Sequence, residues 1–172
     1  MTVQRIDLKT VEPAAYKAMF EMEKYLAASR LSKTLLELIK IRASQINGCA
    51  FCIDMHTKDT RHHGETEQRI YALNAWRETP FFTPEERAVL AFTEAVTLIS
   101  DNHVPDDVYE EVSRYFDSKQ IGQILMAIVA INGWNRIAIA TQMIPRKQGL
   151  KSLLLTNFIM GMRLIKKQLK TR

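Results

Sequence analysis

Hydrophobic and polar positions follow a helical spacing along the whole of this chain. Apolar residues recur at intervals of three and four, and no stretch shows the sustained alternation of a half-buried strand. The pattern therefore predicts an all-α protein of about seven to eight helices. We expect these helices near residues 12–29, 33–46, 49–63, 66–77, 84–100, 105–115, 118–143 and 152–168.

Capping residues support several of these boundaries. Thr83 can cap the helix that Pro84 begins, and Glu86 stands where a capping box needs an acidic side chain. Pro145 is expected to close the long apolar helix. Because the chain has no internal repeat and no low-complexity linker, we expect one helical domain over residues 1–145.

The composition is that of an ordinary single domain. The chain has 172 residues, of which 47% are hydrophobic and 25% are charged. The N-terminus has no signal-peptide pattern, and we expect no window to be long and apolar enough to span a membrane. A cytoplasmic protein is therefore expected.

The net charge of +5 comes largely from the end of the chain. Residues 146–172 combine eight basic side chains with many apolar ones. This pattern predicts a basic amphipathic C-terminal extension that packs on the same domain or on a neighbouring subunit. Contact with an anionic membrane surface is the less favoured alternative. Charge alone does not indicate nucleic-acid binding, and we expect none.

The candidate chemistry lies in a C-x-x-C pair, Cys49 and Cys52. In a reducing compartment this spacing points to redox or metal chemistry. The turn dipeptide Asn47 and Gly48 precedes the pair, so Cys49 should open a helix with Cys52 one turn later. A helix N-terminus favours the thiolate, and this argument alone makes Cys49 the more exposed nucleophile. Both cysteines could instead be small buried hydrophobic residues.

His56 and Glu37 could activate a thiol of this pair. His56 follows Cys52 by one turn, on the same helix face. If the chain reverses before Cys49, Glu37 lies about 3 Å from His56 along the axis, at ~1.5 Å per residue. A carboxylate would then orient an imidazole that deprotonates a thiol. Alternatively, Glu37 completes a capping box with Thr34, and His56 is a structural histidine.

A zinc site is the main rival interpretation of the same residues. Its ligands would be Cys49, Cys52 and His56 with either His62 or His63. Three ligands on one helix make an awkward start for a tetrahedron, and no second ligand pair stands elsewhere in the sequence. We therefore expect neither a metal nor another cofactor. His62 and His63 are expected at the C-terminal end of their helix, where positive charge is favourable.

The motif that joins these residues resembles a known family. The run E-x4-R-x-S-x2-N-x-C-x2-C-x3-H, from Glu37 to His56, resembles the AhpD-like alkylhydroperoxidases of the carboxymuconolactone decarboxylase superfamily. Residues 83–97 and 132–136 resemble later helices of that family. The resemblance covers roughly residues 15–143. It implies an AhpD-like helical bundle that assembles as trimers or hexamers, with the C-x-x-C pair at the start of a central helix.

The resemblance also implies a reaction, the reduction of organic hydroperoxides. Glu37 would be the base that acts through water and His56 to deprotonate Cys52. Cys52 would attack the peroxide, and Cys49 would resolve the sulfenic acid as a disulfide. The implied partners are a small hydroperoxide and a dithiol or protein reductant, lipoyl-like or thioredoxin-like. Phe51 stands where well-studied members have a histidine, a departure expected to weaken the activity or alter reductant docking.

Two further expectations complete the sequence analysis. The alternative function is a non-catalytic redox-sensing or assembly module, in which the Cys49–Cys52 disulfide changes oligomerisation. Asn132, Asn135 and Arg136 interrupt the long apolar helix with polar side chains. We expect Arg136 to form a structural ion pair at a buried surface.

Overall fold

The computed structural model describes residues 3–145, which form a bundle of helices. This part of the chain has nine α-helices, one 3₁₀ helix and no strand, so the predicted all-α fold is confirmed. Helices α1 to α9 are Leu8–Val11, Pro13–Ala27, Lys33–Asn47, Ala50–His62, Glu67–Ala72, Pro84–Thr97, Ile99–Asn102, Asp106–Ser113 and Ser118–Thr141, and the 3₁₀ helix is Leu73–Glu78. The predicted helix 152–168 and the predicted extension 146–172 lie outside the described residues.

The predicted helix 66–77 is divided into α5 and the 3₁₀ helix. The backbone departs from helical geometry at Ala75, where φ is −117° and ψ is 35°. The guanidinium of Arg87, on α6, donates hydrogen bonds to the carbonyl oxygens of Trp76, Arg77 and Thr79. These bonds satisfy carbonyls at the end of the 3₁₀ helix. The end of the 3₁₀ helix is therefore held by a residue of another helix, a contact that local periodicity does not reveal.

Other boundaries also differ from the sequence prediction. The predicted helix 84–100 ends at Thr97 because Leu98 leaves helical geometry, with φ −98° and ψ 36°, and α7 follows. The long apolar helix ends at Thr141, before Pro145, because Gln142 adopts a left-handed conformation with φ 56°. The short helix α1 was not predicted, and the Asp7 side chain caps it by accepting from the Lys9 backbone N–H.

Helix α9 lies at the centre of the bundle, in contact with α2, α3, α4, α6 and α8. By length and composition it could cross a membrane, with a mean hydropathy of 1.5. The expectation that no window would reach this level is therefore wrong. Packing against five helices accounts for part of this composition, but only 44% of the apolar window is buried, so apolar side chains of α9 are also exposed.

The core consists of three clusters of buried side chains. The largest joins α2, α3, α6 and α9, and a second packs Trp76 and Phe82 against α3 and α6. The third places Cys49 and Cys52 against Ala43, Ile131 and Ala138. The two cysteines thus lie where α3, α4 and α9 meet.

Candidate active site

A tight reversal between α3 and α4 sets the position of the cysteines. Gly48 has a φ of 69°, in the left-handed region that glycine adopts without strain. The backbone N–H of Cys49 donates to the carbonyl of Ser44 at 3.0 Å, which closes the end of α3. Cys49 is the N-cap residue of α4, as the sequence predicted.

The two cysteine side chains are adjacent and buried. Their Sγ atoms are 2.7 Å apart, and both thiols are free. Cys49 is 1% exposed and Cys52 is 2% exposed, so the prediction that Cys49 is the more exposed of the two is wrong. The reason is that α9 covers the start of α4, and local sequence spacing carries no information about that covering helix. The pair can exchange between dithiol and disulfide with little movement.

The electrostatics of the pair favour the thiolate at Cys49. A hydrogen bond from the Cys52 thiol lowers the pKa of Cys49 to about 7, helped by the backbone N–H groups of Cys52 and Phe51. The same interaction raises the pKa of Cys52 above its ordinary range, and burial and the charge on Cys49 act in the same direction. One proton shared between two close sulfurs is therefore held mainly by Cys52.

Glu37 and His56 are in direct contact across the α3–α4 hairpin. The Nδ1 atom of His56 and the Oε2 atom of Glu37 are 2.9 Å apart, and the side chains are 9% and 12% exposed. Burial raises the pKa of Glu37, but the hydrogen bond from His56, the charge that His56 has when it is protonated, and the charges of Lys40 and His63 lower it below its ordinary value. An ionised carboxylate only accepts, so the Nδ1–H donates and Nε2 is left to take a proton.

The alternative interpretation, that Glu37 completes a capping box with Thr34, is wrong. Ser32 is the N-cap residue of α3, and its side chain accepts from the backbone N–H of Leu35. Glu37 lies further into the helix and faces α4. The contact between Glu37 and His56 depends on the α3–α4 hairpin that the motif spacing predicted.

Lys40 links Glu37 to a second carboxylate, Glu23 of α2. The Nζ atom of Lys40 is 3.7 Å from Glu37 and 3.0 Å from Glu23, and the lysine side chain is 12% exposed. Glu23 also accepts from the Nε1–H of Trp134 on α9 at 3.0 Å. Sequence reasoning missed Lys40, Glu23 and Trp134 because they come from three helices and share no motif spacing.

Four polar side chains behind the cysteines form a second network that sequence reasoning did not find. Asn47 donates to the side-chain oxygens of Asn132 and Asn135, each at 2.9 Å. Asn135 is fully buried and donates to the hydroxyl of Ser44 at 2.9 Å. Arg136, by contrast, is exposed and donates to the carbonyl of Asn132, so the predicted buried ion pair is wrong. Asn132 and Asn135 of α9 thus bond to the α3–α4 hairpin, and Arg136 also donates to the Oδ1 atom of Asn132 at 3.2 Å, at the exposed edge of this network.

A cavity of about 290 Å³ opens beside Cys49. Its walls are mostly apolar and include Phe51, Ala138, Ile139 and Met143. Such a space admits an organic group of modest size next to the first sulfur.

The candidate zinc ligands are not grouped into a metal site in the described part of the chain. Over residues 3–145, no three His, Cys, Asp or Glu side chains are grouped as a metal ion would need. His62 ends α4 and His63 is its C-cap residue, at the position that the sequence predicted.

Comparison with known proteins fits this geometry. The sequence model of the carboxymuconolactone decarboxylase family matches residues 13–95. The uncharacterized protein YdfG of Bacillus subtilis (strain 168) is 51% identical over 137 residues, which cover 80% of this chain and 93% of YdfG. This chain belongs to the carboxymuconolactone decarboxylase family.

Solved structures place the chain among the AhpD-like members of this family. A protein of unknown function from Agrobacterium tumefaciens, assigned to AhpD antioxidant defence, has a TM-score of 0.83 and 43% identity. The match covers 85% of this chain and 100% of that one. A peroxidase-related protein from Silicibacter sp. TM1040 has a TM-score of 0.68 and 29% identity, over 76% of this chain and 69% of that one.

The same fold also occurs in an enzyme with a different chemistry. The debrominase Bmp8 has a TM-score of 0.71 and 21% identity, over 78% of this chain and 72% of that one. This likeness concerns the fold alone. A shared fold therefore does not by itself decide which reaction this chain catalyses.

Proposed function

We propose that this protein is a thiol-dependent peroxidase that reduces organic hydroperoxides through a dithiol–disulfide cycle of Cys49 and Cys52. The observation that carries the proposal is the adjacency of the two buried sulfurs, 2.7 Å apart, on a hairpin that also joins Glu37 to His56. The pair supplies two electrons, and the carboxylate–imidazole pair supplies a route for protons.

In the proposed cycle, the Cys52 thiolate attacks one peroxide oxygen and breaks the O–O bond. Cys52 becomes a sulfenic acid, and the released alkoxide takes a proton and leaves as an alcohol. The Cys49 thiolate then attacks the Cys52 sulfur, forms the disulfide and releases water after protonation. A dithiol reductant of lipoyl-like or thioredoxin-like chemistry returns both thiols, so that each turnover consumes one hydroperoxide and two reducing equivalents.

Two observations bear on which sulfur attacks. The resting pKa order favours a thiolate at Cys49. His56, however, stands one turn after Cys52 on α4, and Glu37 holds its Nδ1 so that Nε2 is free to take the Cys52 proton. We propose Cys52 as the peroxidatic residue because attack requires removal of the shared proton, and His56 is the available base.

The surroundings of the site support a substrate with an apolar group. The cavity beside Cys49 has mostly apolar walls, and Phe51 forms part of them. We place the protein in the cytoplasm as part of this proposal, because a reducing compartment would return the disulfide to the dithiol form.

We also propose that the protein self-associates as a trimer or hexamer. Leu125, Val129 and Ile139 on α9 are 39%, 46% and 47% exposed, and Ile99, 53% exposed, lies beside Val129. A second copy of the chain would bury these apolar side chains.

The test is peptide mapping of reduced protein after cumene hydroperoxide, beside Cys49→Ser and Cys52→Ser variants. We expect a Cys49–Cys52 disulfide in the wild type, a trapped sulfenic acid on Cys52 in Cys49→Ser, and repeated turnover with a dithiol. Sulfenic acid on Cys49 in Cys52→Ser alone would reverse the two roles. Oxidation that occurs once, without saturable turnover, would contradict the peroxidase and favour the redox-sensing module.

A further inference from the structure

Glu23 of α2 is a partly buried carboxylate that the proposed cycle does not use, although Lys40 connects it to Glu37. Its side chain is 26% exposed. The Oε1 atom of Glu23 accepts from the indole N–H of Trp134 at 3.0 Å, and its Oε2 atom accepts from the ammonium of Lys40 at 3.0 Å. Each carboxylate oxygen therefore has its own donor, one from α9 and one from α3.

Aromatic packing holds the indole that binds Glu23. The ring of Trp134 meets the rings of Tyr16 and Phe20 edge to face, with centroids 5.5 Å apart in both pairs. Tyr16 and Phe20 belong to α2, the same helix as Glu23. The contact between α2 and α9 therefore directs the indole N–H at Glu23 and fixes the position of the carboxylate.

Lys40 is hydrogen-bonded to Glu23 and not to Glu37. Its Nζ atom is 3.0 Å from Glu23, within hydrogen-bond range, but 3.7 Å from the Oε1 atom of Glu37, outside that range. Lys40 follows Glu37 by three residues on α3, so its flexible side chain could reach that carboxylate directly if no other group bound it. Glu23 therefore determines which carboxylate binds the ammonium.

We propose that Glu23 is a positioning residue for the Glu37–His56 pair, because it binds Lys40 and so keeps the ammonium from becoming the main partner of Glu37. His56 then has the shortest contact with Glu37, at 2.9 Å. A full ion pair between Lys40 and Glu37 would compete with the imidazole for the negative charge and weaken the bond to His56. The inference rests on the proposed role of Glu37 and His56 in proton transfer and deepens it.

The other charged side chains around this site do not take the place of the α2 carboxylate. On α4, His63 is the C-cap residue, and Lys58 is paired with Asp54. On α6, Glu94 is bound by two arginines. On α9, Arg136 is exposed and donates to a carbonyl of its own helix.

The experiment follows the carboxylate–imidazole contact in the reduced full chain without peroxide, so its result does not depend on peroxidase activity. The test variant is Glu23→Gln, which keeps the shape of the side chain and removes its charge. Glu21→Gln is the matched control, because it removes the same charge from the same helix, where Glu21 forms an exposed pair with Lys24 at 2.7 Å. Circular dichroism verifies the folding of each variant.

In Glu23→Gln, we expect solvent exchange of the His56 Nδ1 proton, measured by NMR, to be about threefold faster than in the wild type, the size of one partly exposed ion pair. Lys40 would then bond to Glu37 and compete with the imidazole. Carboxyl-carbon NMR should show that Glu37 takes up its proton at a lower pH, because an unshared ammonium lowers the pKa of that carboxyl further. Glu21→Gln should match the wild type in both measurements.

A double variant separates this role from a structural tie between helices. Combining Glu23→Gln with Lys40→Met should abolish the faster exchange, because no ammonium is left to compete with His56. A structural tie would change stability but leave proton exchange and Glu37 ionisation at wild-type values. Wild-type values in folded Glu23→Gln, or equally fast exchange in the double variant, would overturn the proposal. A wild type without peroxide turnover would contradict the proposed function and leave these measurements unchanged.

Discussion

Glu37 and Glu94 are two carboxylates with almost equal burial, 12% and 13% exposed, but they have different kinds of partners. Glu37 bonds to His56 on the helix that holds the cysteines. Glu94, on α6, accepts from Arg42 at 2.7 Å and from the Trp76 indole at 2.8 Å, and it also pairs with Arg77. In both cases burial raises the carboxyl pKa and the partners lower it below the ordinary value.

The difference lies in what the partner can do with a proton. Arginine stays protonated at any physiological pH, so the Glu94 cluster can only hold α3, α6 and the 3₁₀ helix together. Histidine can gain or lose a proton near neutral pH, so the Glu37 contact can also move one. Burial and a lowered pKa by themselves therefore do not distinguish a candidate catalytic carboxylate from a structural one.

Glu37→Gln should give the largest effect. The amide keeps the shape of the carboxylate but loses the charge that orients and stabilises protonated His56. We expect peroxide turnover to fall about 100-fold, the usual size of a general acid–base contribution. Alkylation of the thiols at pH 7 should stay within about twofold of the wild type, because Cys52 and not Glu37 sets the resting thiolate. Unchanged turnover in the folded variant would remove Glu37 from the mechanism.

Glu94→Gln is the matched comparison and should affect stability instead. Loss of this charge leaves Arg42 and Arg77 without their shared carboxylate. We expect the free energy of unfolding to fall by about 2 kcal/mol and the Tm by about 4–8 °C. Chemical and thermal denaturation measure the change, and turnover per folded molecule should not change. A loss of turnover as large as that of Glu37→Gln would show that the two carboxylates are not functionally distinct.

Lys40→Met should have a smaller effect that depends on pH. The lysine charge lowers the pKa of Glu37, so removing it lets Glu37 take up a proton at a higher pH. A carboxyl with a lowered folded pKa stabilises the protein above its unfolded pKa, and this contribution is lost as the pH falls through the folded value. We expect turnover to decline at a higher pH in Lys40→Met than in the wild type as the pH is lowered through the carboxyl range, and to be close to wild type near pH 8.

Lys58→Met is the control for this pH profile, because Lys58 pairs with Asp54 on α4 and has no contact with Glu37. The free energy of unfolding should show the same pattern: at low pH it should be smaller in Lys40→Met than in the wild type and in Lys58→Met. Parallel pH profiles for Lys40→Met and the wild type would show that Lys40 does not influence the carboxylate.

Much of the hairpin could be predicted from local sequence. The turn at Asn47 and Gly48, the helical periods on both sides and the four-residue spacing of Cys52 and His56 predicted that Glu37 would meet His56, and their polar atoms are 2.9 Å apart. These contacts join residues about twenty positions apart or fewer, so regular helix geometry was enough to relate them.

The sequence by itself determined the all-α class, the family motif and the approach of the sulfurs, because repeated local geometry sets all three. Only the tertiary structure decided that both cysteines are equally buried and that Lys40, Glu23 and Asn135 surround the relay and the thiols. These residues come from α2, α3 and α9. The hydrophobic periodicity of a single helix does not predict which other helices pack against it. The chemistry of the site thus begins in one short motif, but α9 supplies the environment in which the sulfurs ionise.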